Sequence, residues 1–156
     1  MPADFTHADR WSCPTRLGTP RVRRDRPRNP PWQPPLGLEP ELRKSGEAWK
    51  AVRVPIELGR RMLVLLGDSN GAVIQDRVSL YWLVPVETVP RTGPAEVVML
   101  PGRAEESAFV GMPPVYWTRG PGLHWRVPAE RGLTCGDLLF VAARIAVNTM
   151  PGEAAR

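Results

Sequence analysis

Residues 107–128, SAFVGMPPVYWTRGPGLHWRVP, decide how the rest of the chain is read. Residues 107–112 are apolar apart from the first and suit a buried strand, and the doublet Pro113-Pro114 removes two backbone donors and ends any ladder. Gly120, Pro121 and Gly122 then supply a turn. Beyond it Leu123, Trp125 and Val127 fall on one face of a second strand, with His124 and Arg126 on the other. The layout predicts a hairpin with a long, rigid connection, and His124 is expected to face solvent beside Arg126.

Working outward, residues 55–66 carry Pro55 in the first turn, apolar Ile56, Leu58, Met62, Leu63, Leu65 and Leu66, and Gly67 just past the end, which predicts a helix. In GDSNG, Asn70-Gly71 is expected to take positive φ. A central strand follows, interrupted at Asp76-Arg77, with Val78, Leu80, Trp82 and Val84 on one face and Ser79, Tyr81 and Leu83 on the other. Residues 96–100 read as a short strand and residues 101–107 as a charged loop. Thr134 and Asp137 stand at capping-box spacing before a second helix with the stripe Leu138, Val141, Ala142, Ile145 and Ala146. Trp82, Trp117 and Trp125 are expected in the core or at its rim. The pattern predicts an α+β fold, a small and mostly antiparallel sheet of about four strands flanked by two helices.

A content of 42% hydrophobic and 24% charged residues is that of one globular domain, and no run is long enough to span a bilayer, so a cytoplasmic protein without a membrane partner is expected. Cys13 and Cys135 lie in dissimilar segments and are expected to be reduced. The net charge of +5 is concentrated early: residues 1–50 hold ten basic and six acidic groups. Around RVRRDRPRNPPWQPPLGLEP there is no apolar period to seed a core, so residues 1–50 are expected to form a disordered Pro/Arg-rich arm. Residues 51–149 form the α+β domain and residues 150–156 a tail. Only Lys44 and Lys50 are lysines among 21 basic residues, an arginine bias that genome composition alone can produce, so the charge by itself is a weak pointer to nucleic acid.

The motif FVGMPPVYWTRGPGLHW resembles the closing motif of the bifunctional primase-polymerase (prim-pol) N-terminal domain family of actinobacterial, phage and plasmid replication proteins. Pro113-Pro114 matches its doublet, Gly120 its glycine and Trp125 its tryptophan, while Val115 and Leu123 replace a serine and a tyrosine. Upstream, SLYWLVP is similar to the family's His-x-Tyr-Phe strand, with Ser79 in place of the histidine. A second register aligns Thr118, Gly122 and His124 with a Thr-x-x-Gly-Gly-x-His strand and would make His124 a phosphate ligand. The resemblance implies two-metal nucleotidyl transfer by an acidic pair at a strand end plus a third acid. Neither register supplies them. Glu39 and Glu41 have the pair's spacing but lie in the arm, where nothing is expected to hold them, and the third acid's place falls at Gly102 or Pro101, near Glu105 and Glu106.

The reading that follows is a non-catalytic, degenerate or truncated prim-pol-like domain without cofactor, binding DNA or RNA weakly through His124, Arg126, Arg119 and Arg103 and, in the arm, Arg24 and Arg26. One alternative is a fragment of an active primase-polymerase that has lost its metal-binding half, for which magnesium or manganese would be the cofactor. Another is a protein-interaction module whose Pro-rich arm docks in a partner's groove.

Overall fold

Residues 33–89, 93–103 and 105–149 are described by the structure, a computed structural model. In chain order they form β1 (Glu41–Ser45), β2 (Trp49–Pro55), α1 (Ile56–Leu66), β3 (Val73–Gln75), β4 (Ser79–Pro85), β5 (Val98–Leu100), β6 (Ala108–Met112), β7 (His124–Val127) and α2 (Gly136–Asn148). The fold is α+β. Five strands pair in the order β5-β2-β4-β3-β7, antiparallel at every step, and β1 and β6 make a separate antiparallel ribbon.

Strand alternation sends the side chains of the five-stranded sheet into two cores. On one face Val52, Val54, Leu80, Trp82, Val84 and Met99 meet Leu58, Met62 and Leu66 of α1 and Leu139, Phe140, Ala142, Ala143 and Ala146 of α2. On the other face Trp49, Ala51, Ile74, Leu83 and Trp125 meet Val110 and Met112 of the ribbon, with Ala129 and Leu133. The helices and the ribbon thus cover opposite faces of one sheet. Ser45 ties the layers together: its hydroxyl donates to the Leu100 carbonyl and accepts from Ala51 N–H at 3.1 Å.

Both helices form where the periodicity places them, starting one residue later than expected at α1, where Pro55 is the cap. The expected central strand is β3 and β4, divided where the Asp76 carboxylate accepts from the N–H groups of Val78 and Ser79 at 2.9 and 2.8 Å. With β1 and β2 added, seven strands are present among the described residues rather than about four.

Several local expectations are corrected. Residues 41–50, assigned to the arm, form β1 and the start of β2, because β1 turns Arg43 and Ser45 inward and Leu42 outward and so hides its pattern. β6 and β7 do not pair as a hairpin; β6 pairs with β1 and β7 with β3. The register of β7 skips Arg126, a bulge that places Val127 opposite Val73 and Trp125 opposite Ile74, so Trp125 and Val127 serve different cores. Asn70 has φ −68°, not a positive value. Gly71 is instead required by a close approach, since a Cβ there would stand 2.5 Å from the Gly132 carbonyl oxygen. Thr134 does not cap α2, whose N-cap is Cys135; its hydroxyl accepts from Gly71 N–H at 2.8 Å. In α2 the buried stripe runs through Leu139, Ala142, Ala143 and Ala146, while Val141 and Ile145 are exposed. The expectation that Cys13 and Cys135 are reduced turns on Cys13, which lies outside the described residues.

Candidate functional site

The connection from β6 to β7 carries the most pronounced surface chemistry. Pro113 and Pro114 are buried, and the indole Nε1–H of fully buried Trp125 donates to both of their carbonyls at 3.0 and 3.1 Å. Trp125 N–H donates to the Trp117 carbonyl at 2.8 Å, which lays the loop along the outer edge of β7. Two further bonds fix its start: Val115 N–H donates to Pro35 O at 2.9 Å, and the Tyr116 hydroxyl donates to Gly37 O at 2.8 Å. The consequence is a loop anchored mainly through its backbone, with the Tyr116 hydroxyl as one side-chain tie. Tyr116 is 51% exposed, Trp117 is half-buried, and Thr118 and Arg119 are exposed. Arg126, also exposed, projects from the bulge on β7 beside the loop.

Of the six residues expected to touch nucleic acid, Arg119 and Arg126 fall in this region. His124 does not serve. It is buried, 6% exposed, and its Nδ1–H donates to the Gly122 carbonyl at 2.7 Å, closing the turn rather than facing solvent. Arg103 follows β5, at the opposite edge of the sheet from β7, and four inter-strand spacings put roughly 19 Å between those edges. Arg24 and Arg26 lie outside the described residues. Tyr116 was not singled out in the sequence and Trp117 was assigned to the core or its rim; the turn closed by Trp117 N–H donating to the Pro114 carbonyl at 3.0 Å leaves Tyr116 exposed and Trp117 half-buried.

Glu39 is exposed, and Glu41 is held in β1 with its carboxylate accepting from Arg43 Nε at 3.0 Å, contrary to the expectation that nothing would hold it. Glu105 and Glu106 lie past the other end of the ribbon, near Ser45, about 13 Å away along a strand of this length. Among the described residues no group of three or more His, Cys, Asp or Glu side chains converges as metal ligands would.

On the second core's face, Tyr81 donates to the Asp76 carboxylate at 3.1 Å. Burial, then the Asp76 charge and that hydrogen bond, raise the phenol's pKa above its ordinary 10.0, while Arg53 opposes them. A separate cavity of about 620 Å³ opens where the β1–β2 turn meets the β5–β6 connection, lined by Lys44, Lys50, Arg103, Glu47, Glu105 and Glu106 among others. No helix among the described residues is long and apolar enough to cross a membrane. No family model matches the chain, nor does any curated protein or solved structure.

Proposed function

We propose that this chain is a primase-polymerase-like domain that binds single-stranded nucleic acid without transferring nucleotides. The observation that carries the reading is the anchored loop that presents Tyr116, Trp117 and Arg119 beside Arg126. Aromatic faces accept stacked bases of any sequence, and neighbouring guanidinium groups release counterions from the phosphates they meet. The lack of catalysis rests on the sequence registers, neither of which puts an acidic pair at the end of an apolar strand.

Fluorescence anisotropy with labelled single-stranded DNA across a salt series tests the proposal. Binding should weaken steeply with salt, and Arg119→Ala with Arg126→Ala should flatten the slope by roughly one unit for each phosphate no longer neutralised. Trp117→Ala should weaken binding by about 1–3 kcal/mol, and it keeps the backbone bonds of residue 117 to Pro114 and Trp125. Absence of salt-dependent binding, or primer extension with magnesium or manganese, rejects the reading.

A second reading, a protein-interaction domain, is favoured by exposed apolar residues on and beside the ribbon: Leu36, Leu38, Leu42 and Phe109. Leu42 pairs with Gly111 and Phe109 with Lys44, which makes Leu42 and Phe109 diagonal neighbours on the outer face. Capture of a partner that survives high salt and is abolished in Leu42→Asp would favour this reading over the first.

A further inference from the structure

The two lysines of the chain converge on one cavity. Every other basic residue is arginine, yet Lys44 and Lys50 both line the pocket of about 620 Å³ between the β1–β2 turn and the β5–β6 connection, with Arg103 as a third cation. A lysine ammonium is a compact point charge able to meet an anion from any direction.

The floor of the cavity is fixed by Ser45 and Pro101, which are buried, while Lys44, Arg103 and the carboxylates stand on its exposed rim. Ser45 is 1% exposed and bonded to both Leu100 and Ala51, and Gly46, at φ +115°, lies flat against Pro101, where a Cβ would stand 3.3 Å from the proline ring. Arg103 N–H donates to the Glu106 carboxylate at 3.3 Å, closing the loop on the far side. Lys44 pairs with Glu47 at 3.4 Å at the exposed rim. Lys50 and Arg103 have no carboxylate partner among the ion pairs of the described residues.

From this geometry we infer that the cavity is a binding site for a small phosphate monoester that also carries hydroxyl groups. The cations receive the phosphate, and Glu47 and Glu105, acceptors on the rim, receive the hydroxyl protons. The volume suits a ligand of sugar-phosphate size. This site stands apart from the loop on β7 and does not depend on the nucleic-acid reading.

Calorimetric titration of the full chain with glucose 6-phosphate, inorganic phosphate and glucose is the test. Glucose 6-phosphate should bind saturably at millimolar concentration or below, inorganic phosphate more weakly and glucose not at all. Lys44→Met and Lys50→Met keep side-chain length and remove the charges; each should weaken glucose 6-phosphate binding by about five-fold or more. Lys50→Arg should also weaken it, because the fork cannot replace the point charge. Tyr116→Ala with Arg119→Ala should leave it unchanged, which separates the outcome from that of the DNA titration. No saturable binding of glucose 6-phosphate, equal binding of glucose, or undiminished binding in the Lys44→Met, Lys50→Met double variant overturns the inference.

Discussion

Asn70 is a small residue with an outsized structural role. Its side-chain carbonyl accepts from the buried indole N–H of Trp82 at 3.0 Å, and its amide donates to the carbonyls of Leu63 and Gly67, both at 2.9 Å. One side chain therefore closes the end of α1 and satisfies the largest residue of the helical core. Asn70→Ala leaves the indole donor unpaired in an apolar interior and should destabilise the protein by about 1–3 kcal/mol, read from urea unfolding. At Tyr81 the sign of the pH dependence follows from the raised pKa. Above the ordinary value of 10.0 the unfolded phenol gives up its proton while the folded one keeps it, so the unfolded state binds fewer protons and stability falls as pH rises. The urea midpoint should therefore drop as pH rises above 10.0, and the drop should shrink in Tyr81→Phe. The turn residues Asp76 and Gly67 were legible because their chemistry is local. The roles of Asn70 and Thr134 were not, because each bonds across the fold to a group the linear order does not place beside it.

At the scale of elements, the helices could be read from periodicity but the face of α2 could not be fully assigned. Two apolar stripes share its sequence, and only packing against α1 and the sheet selects the one with small residues, Ala142, Ala143 and Ala146. That choice makes a test. Ala143 is fully buried, so Ala143→Leu should overpack the helical core and cost about 1–3 kcal/mol, whereas Ile145→Leu, at a 45% exposed position, should change little; thermal melts compare them. β3 to β7 were legible in the sequence, β1 and β2 were not, and the pairing of β6 with β1 and of β7 with β3 was not. Adjacent strands in sequence usually pair, but β6 and β7 are separated by a loop whose two prolines turn their carbonyls to the Trp125 indole. The β6–β7 connection was read as a core motif for the same reason; Trp125 beyond it builds the interior, while Tyr116 and Arg119 face out.

For the molecule as a whole, the segment least expected to be structured closes one of its two interiors. β1 holds β6 over Trp49, Leu83 and Trp125, so a chain truncated through Ala48 should expose Val110 and Met112, bind a hydrophobic dye and lose its cooperative transition. The same layering bears on how the protein melts. Far-UV dichroism and tryptophan fluorescence should give coincident urea transitions, with Trp82 in one core and Trp125 in the other. The one-residue offset at Arg126 is the reason to expect it. By shifting phase there, a four-residue strand contributes Val127 to one side of the sheet and Trp125 to the other. Completion of either half is thereby contingent on the other, and a partly assembled chain with a single finished interior has no stable berth for its last strand.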